Sequence, residues 1–269
     1  MKILIYDNKG KDLNGQWLKE FVDLLNQKKI EYRILEDCNL KESENADALF
    51  VHGGDGTILF LTEFASRNNI PLIGINAGKL GFLTEFEYNE SKIALELLLG
   101  GEVIKDERET MHIRCKDKDY FALNDVFFQR IYHESNGMLV SVDVNIDENK
   151  VAKFKGDGVV ISTPTGSTAY SLSAGGPVLA PRMNAFVISP IAAHSLNTKP
   201  IVYSSDSTCT VFVQGKTSTG LFVDGTYVDK LNKGEFITVT KNTNRVVFLR
   251  KKTFNFYNRL NKKLHNSLD

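Results

Sequence analysis

The first hundred residues of this 269-residue chain alternate in type, and that alternation restricts the fold more than any other feature. Ile3 to Tyr6 make an apolar run of strand length, and residues 13 to 28 carry Leu13, Trp17, Phe21, Leu24 and Leu25 at helical spacing. Ile30 to Leu35 and Ala46 to His52 read as further strands. Ile58 to Arg67 reads as a helix, Pro71 to Ile75 as a strand, and Ser91 to Leu99 as a helix stopped by Gly100-Gly101. Strand alternating with helix predicts a parallel sheet covered on both faces. Ligands of such sheets sit beyond the carboxyl ends of the strands, where the glycine-rich turns after His52 and after Asn76 fall.

From about residue 101 the texture changes to short alternating stretches, among them Val103 to Lys105, Met111 to Cys115, Leu139 to Val144, Val159 to Ser162 and Phe236 to Val239. Turn signals separate them, such as Ser-Asn-Gly at 135–137 and Asp-Gly at 224–225. One helix is expected near Ser167, and the last twenty residues turn helical again. The fold class expected is therefore an α/β N-terminal domain with a parallel sheet, plus a β-rich C-terminal domain. Residues 1–100 are expected to form the first and 101–249 the second, with the C-terminal helix 250–269 packing back on the first.

Lys plus Arg and Asp plus Glu number 33 each, so no net field draws the chain to nucleic acid or to an anionic membrane. A local basic stripe, Lys251, Lys252, Arg259, Lys262 and Lys263, reads as the solvated face of a terminal amphipathic helix. Cys38, Cys115 and Cys209 match no zinc or redox spacing and suggest reduced thiols in a cytoplasmic protein. No apolar stretch is long enough to span a bilayer as a helix. No pair of the five histidines has metal-ligand spacing, so the sequence assigns no metal ligand.

The sharpest local signal is Gly53-Gly54-Asp55-Gly56-Thr57, set between a strand and a helix. Glycines let a backbone approach phosphate and point N–H groups at it, and the following helix adds the positive end of its dipole. Asp55 would repel a merely bound phosphate. Its charge makes sense in orienting and deprotonating an attacking hydroxyl, or in holding a metal ion between phosphates. The same string could also be a tight turn with Asp55 as helix cap. A Walker G-x-x-x-x-G-K-[ST] motif and a G-x-G-x-x-G after the first strand are both missing, which removes P-loop chemistry and leaves Rossmann hydride transfer unsupported.

The GGDGT string resembles a kinase superfamily that includes NAD kinases, lipid kinases and phosphofructokinases. Asn76 to Leu83 (NAGKLGFL) is similar to the NAD-kinase pattern N-x-G-x-L-G-F-L, and Asn124-Asp125 resembles that family's Asn-Glu/Asp pair. Lys155 to Leu179, KGDGVVISTPTGSTAYSLSAGGPVL, closely resembles its most diagnostic segment, followed by Pro190 to Val202 and Asp224-Gly225-Thr226. The resemblance to NAD kinases implies phosphoryl transfer from ATP or polyphosphate, with Mg²⁺ or another divalent cation, to the adenosine ribose 2′-hydroxyl of NAD. It implies Asp55 as general base, and Gly53, Gly54, Gly56 and Thr57 at the phosphates. Phe82 would pack on adenine, with Thr168, Ala169, Tyr170 and Ser173 along the adenosine. Asn124 and Asp125 would meet ribose hydroxyls, Asp157 the nicotinamide ribose or carboxamide, and Lys155 the phosphates. Asp55 and Gly56 would also touch NAD. A homodimer or homotetramer is implied too. Plainer readings stay open: Thr163, Thr165, Ser167 and Thr168 as helix caps, Tyr170 as core, and Asp157 as a turn residue. Lys79, Thr226 and Ala192-Ala193 depart from the family pattern and leave the choice between NAD and NADH open. The rival functions are a lipid or sugar kinase of the same superfamily, which residues 155–179 disfavour, and a non-catalytic dinucleotide sensor, which retention of Asp55 disfavours.

Overall fold

The structure, a computed structural model, describes every residue except 13, 38–43, 79–80, 132–137, 196 and 266–269, with only the backbone of residue 265. Leu13, Cys38, Lys79 and the turn at 135–137 therefore lie outside the described residues. The chain divides into two compact units, Met1–Glu107 with Asn244–Asp269, and Arg108–Thr243.

The first unit runs β1 (Lys2–Asp7), α1 (Gln16–Gln27), β2 (Glu31–Ile34), β3 (Ala48–Gly53), α2 (Asp55–Arg67), β4 (Leu72–Asn76), β5 (Phe86–Glu87), α3 (Ser91–Leu99) and β6 (Val103–Arg108). Its sheet has the order β2-β1-β3-β4-β19-β6, with β5 beside β4 and β19 (Val246–Lys251) returning from the far end of the chain. Val103 to Arg108, whose sequence texture matches the β-rich half, is thus an edge of this sheet. Pairing is parallel from β2 through β4 and on to β19. β3 and β4 are buried at every position, as strands covered on both faces must be. Trp17, Phe21 and Leu25 of α1 close one face over Ile3, Ile5, Phe50 and Ile75. Strand order reverses between β1 and β3, so the carboxyl ends of those two strands flank a crevice of the kind in which doubly wound sheets bind ligands.

The second unit is antiparallel. It contains β7 (Met111–Cys115), β8 (Lys118–Ala122), β9 (Asp125–Arg130), β10 (Val140–Ile146), β11 (Asn149–Gly156), β12 (Gly158–Ser162), α4 (Tyr170–Ser173), β13 (Ala185–Ile191), β14 (Ile201–Ser204), β15 (Cys209–Val213), β16 (Thr219–Val223), β17 (Thr226–Leu231) and β18 (Phe236–Lys241). Among the described residues these make two six-stranded sheets, β11-β10-β15-β18-β7-β8 and β14-β13-β12-β9-β16-β17. They share one apolar core that includes Met111, Ile113 and Val211 from one sheet and Phe128, Ile161 and Leu221 from the other.

Two expectations change. The helix near Ser167 is only a 3-10 turn at Gly166–Thr168 followed by the single turn of α4. The Ser167 hydroxyl donates to the carbonyl of Pro164 and accepts from the amide of Leu179, which fixes the segment as a folded loop, and Gly175-Gly176-Pro177 ends it. The basic stripe at the C-terminus is not simply solvated. Within and before α5 (Phe256–His265), Lys251 pairs with Glu90, Lys252 with Glu102, and Arg259 is almost wholly covered.

Candidate active site

In the first unit β3 delivers the chain to Gly53, and α2 begins at Asp55, three residues earlier than the apolar periodicity predicts. Gly54 precedes the helix in an extended conformation, and no side chain caps it. The Thr57 amide donates to the Gly54 carbonyl at 3.0 Å, which leaves the amides of Asp55 and Gly56 at the helix start to face an anion, with the helix dipole behind them. Gly53 is required sterically: a Cβ there would overlap the side chain of Thr57, whose hydroxyl accepts a 2.8 Å bond from Asn8 Nδ2. Gly54 and Gly56 have open space where a Cβ would project.

Asp55 is not a cap for its own helix. Its carboxylate reaches the loop after β4, where Oδ2 accepts from the Phe82 amide at 2.7 Å and Oδ1 from the Leu83 amide at 3.0 Å. Each carboxylate oxygen keeps another lone pair for an incoming hydroxyl. Gly81 is pressed so closely against this carboxylate that a Cβ would collide with Asp55 Oδ1. The structure thus brings together Asp55, the Gly53–Thr57 turn and half-buried Phe82, with Lys263 Nζ 5.7 Å from the Phe82 ring centre.

His52, one residue before the turn, is a buried structural histidine. Its Nδ1 lies 2.7 Å from Asp7 Oδ1, and its ring stacks on Trp17 at 4.4 Å. With Asp12 these residues form a His-Asp-Asp group whose ligand atoms lie within 4.8 Å of one another. The group does not suit Mg²⁺, which takes an octahedron of oxygen ligands rich in water. Here one member is an imidazole nitrogen rather than an oxygen, and Asp12 Oδ2 already accepts from the Leu18 amide. A cavity of about 450 Å³ lies alongside, lined by Tyr6, Asp7, Lys9, Glu36 and Asp37 among others. Among the described residues three carboxylates face one lysine there, a poor seat for polyphosphate on its own.

In the second unit Asn124 lies in a bend and Asp125 opens β9, and the segment is gripped from both sides. The amides of Leu123, Asn124 and Asp125 all donate to the Asp224 carboxylate, at 2.8, 2.8 and 3.0 Å. From the other side Thr163 Oγ1 donates to the Leu123 carbonyl, the Thr163 amide donates to the Asn124 carbonyl, and Gly166 packs on that carbonyl too tightly to carry a Cβ. Three consecutive amides around one anion form a nest, filled here by an internal carboxylate. Sequence reading had no access to this role, since the partners lie about a hundred residues apart.

Burial raises the Asp125 carboxyl to about 7, with Asp224 adding repulsion, and burial raises Asp224 to about 6 against the pull of its three amides. A carboxyl whose pKa is raised by folding holds its proton in the native state after the unfolded chain has released it. Stability therefore falls as pH rises from about 4 toward about 7. Urea unfolding of the full chain should give a lower midpoint at pH 7.5 than at pH 5, and Asp125→Asn should flatten that difference. A midpoint that rises over this interval would contradict the assignment.

The remaining expected residues separate. Tyr170 packs edge-on against Phe127, which stacks on Phe222 at 4.7 Å, and Thr168 and Ala169 precede it half-buried, with Ser173 exposed. Tyr170 is thus neither free nor fully core. Asp157 forms an ion pair with Arg130 at 3.1 Å, a partner with no sequence signal, and Lys155 is exposed. Gln129 pairs with Gly158 and Asp125 with Ser162, so Lys155 and Asp157 lie at the opposite end of the β9–β12 ladder from Asn124 and Asp125. The two ends are roughly 13 Å apart by strand rise.

A doubly wound unit with a carboxylate in a glycine-rich turn at its switch point, carried in one chain with an antiparallel β unit, has the parts of a phosphotransferase outside the P-loop class. Comparison with known proteins gives the family. The ATP-NAD kinase N-terminal domain model matches residues 6–103, and the ATP-NAD kinase C-terminal domain model matches residues 123–251. An NAD kinase of Fusobacterium nucleatum is 37% identical over 98% of this chain and 97% of its own length. An NAD kinase of Caldicellulosiruptor saccharolyticus is 33% identical over 98% and 99%. Among solved structures, yeast NADH kinase complexed with NADH shares the fold, with a TM-score of 0.86 at 24% identity, covering 98% of this chain and 87% of that one. An NAD kinase from Archaeoglobus fulgidus in complex with ATP gives 0.80 at 25%, covering 97% and 98%. The chain belongs to the NAD kinase family.

Proposed function

We propose that this chain transfers the γ-phosphoryl group of ATP, or the terminal group of polyphosphate, to the 2′-hydroxyl of the adenosine ribose of NAD, giving NADP. The reading rests on full-length kinship with NAD kinases combined with one geometric fact: Asp55 stands at the start of a helix in a glycine turn, held by two amides. Asp55 accepts a hydrogen bond from the 2′-hydroxyl and takes its proton as the phosphoryl group transfers, a role that contributes about 10²- to 10⁴-fold when the base is well positioned. The amides of Gly54, Asp55 and Gly56, with Thr57, receive the phosphates. Phe82, Thr168, Ala169, Tyr170 and Ser173 hold the adenosine, Asn124 and Asp125 the ribose hydroxyls, and Lys155 and Asp157 the phosphates and the nicotinamide half. The His-Asp-Asp group does not suit Mg²⁺, so a divalent cation, Mg²⁺ by preference, would be held by the donor's own phosphates, where it would supply charge neutralisation.

The glycine turn offers a test of the phosphate assignment. A Cβ on Gly54 meets open space and its backbone is not in the left-handed region, so Gly54→Ala should leave the melting temperature nearly unchanged. A methyl between the amides and the donor should raise the KM for ATP by roughly ten-fold, the equivalent of one charge-assisted hydrogen bond. An unchanged KM would move the donor elsewhere.

We further infer a homodimer or homotetramer in the cytoplasm. The oligomer follows from kinship with NAD kinases, and the location from cysteines without disulfide or zinc spacing, of which Cys115 and Cys209 are buried and unpaired. A lipid or sugar kinase is not favoured beside relatives named NAD kinase over nearly the whole chain. Assaying the purified chain with NAD or NADH against ATP or polyphosphate, with NADP or NADPH as readout, tests the activity and the donor together.

A further inference from the structure

Residues Gly81 to Thr84 form a ribbon with different partners on its two edges. On one edge the amides of Phe82 and Leu83 donate to Asp55. On the other, two arginines from the C-terminal segment take the carbonyls. Arg259 Nη1, from α5, donates to the Gly81 carbonyl at 2.9 Å and the Thr84 carbonyl at 2.8 Å. Arg250, from β19, reaches the Phe82 carbonyl through Nη2 at 3.4 Å and the Leu83 carbonyl through Nη1 at 3.5 Å. Glu85 sits under both guanidinium groups, at 2.9 Å from Arg259 and 3.4 Å from Arg250. Arg250 is fully buried, with Nε bonded to Asp106 at 2.6 Å and the guanidinium 4.2 Å from the ring centre of Phe254.

The pairing follows peptide planes. The Gly81 carbonyl and the Phe82 amide belong to one planar trans unit, and the Phe82 carbonyl and the Leu83 amide to the next. A rigid plane held by its oxygen has its N–H direction fixed as well. Each arginine therefore holds one of the two planes whose N–H faces Asp55, and a cation at the carbonyl end polarises that N–H toward a stronger bond. Gly81, which has no room for a side chain against the Asp55 carboxylate, sets the distance. A guanidinium buried only to fill space would need no such register.

We propose that Arg250 and Arg259 are positioning residues for phosphoryl transfer, acting through the 81–84 ribbon on the carboxylate of Asp55. The inference rests on the reading of Asp55 as the base. It gives the C-terminal helix a role in turnover rather than in substrate contact, and one of the two residues, Arg259, is one that sequence alone assigns to a solvated basic face.

A double-mutant cycle on the full chain tests it. Arg259→Gln should lower kcat roughly ten-fold while leaving the KM values for NAD and ATP within about two-fold, as expected when a network supporting the reacting group is loosened. In an Asp55→Asn background the same change should cost less than about two-fold, because the group it positions is already gone. A full ten-fold loss in both backgrounds overturns the proposal and leaves Arg259 a general structural residue. Should Arg259→Gln fail to fold, Arg259→Lys makes the same comparison, since a single ammonium cannot bridge Gly81, Thr84 and Glu85 with a planar fork. Near-normal turnover in Asp55→Asn alone would mean that the base assignment has failed. The clamp is then read by hydrogen exchange at the Phe82 and Leu83 amides, which should be slow in the unaltered chain and faster in the arginine variant; equal rates overturn it.

Discussion

Asp55→Asn should lower turnover by about 10²-fold or more while the affinity for NAD, measured by calorimetry, changes by less than about two-fold. The substitution keeps the shape of the side chain and removes its capacity to accept the hydroxyl proton. It also has a structural consequence. Asp55 offers one oxygen to each of two amides, Phe82 and Leu83, whereas asparagine offers one oxygen and turns an NH₂ toward the other. One of those amides then loses its acceptor, at a cost of about 1–3 kcal/mol where water cannot replace it. A lower melting temperature should accompany the lost activity, and the affinity measurement separates the two effects. Turnover close to that of the unaltered chain would remove Asp55 from the chemistry.

Gly81→Ala should have a comparable effect from outside the glycine turn. Gly81 carries no reacting group itself, yet a methyl there must push either the carboxylate of Asp55 or the ribbon that holds it. Displacing a catalytic group by about 1 Å can cost roughly 10²-fold in rate. The expected result is a kcat reduced by about that factor, with the loss confined to kcat if adenosine binding by Phe82 persists. Steady-state kinetics beside a thermal melt will show it. A variant that melts normally and turns over normally would mean that the close approach of Gly81 to Asp55 does not govern the base.

Much of the first unit was legible because its signals are local. The periodicity of Trp17, Phe21 and Leu25 gave α1, the continuous apolar run before Gly53 gave β3, and the glycine turn marked the carboxyl ends of the strands. The order of the strands was not legible, because β19 inserts between β4 and β6 from a distance of 170 residues or so in the chain. The same limit hid the partners of the candidate residues. Asp55 could be singled out by its neighbours, but its amide donors lie 27 and 28 positions away. Arg259 read as one cation among several on an amphipathic helix. What distinguishes it is a set of carbonyls from residues 81 and 84, which no spacing within the helix encodes. Asp224 stood in a recognisable Asp-Gly turn, yet its function as the anion of a backbone nest depends on residues 123 to 125. Residues 167 to 173 misled in the opposite sense. Their serines and threonines resemble a capped helix, and the structure uses the Ser167 hydroxyl to tie a loop.

Which alcohol receives the phosphoryl group decides the function. Purified chain incubated with NAD, ATP and Mg²⁺ should yield a product whose phosphorus spectrum shows the unaltered pyrophosphate and one new phosphomonoester on the adenosine ribose at the 2′ position. ATP consumed without that resonance, or a phosphoester at any other hydroxyl, would contradict it.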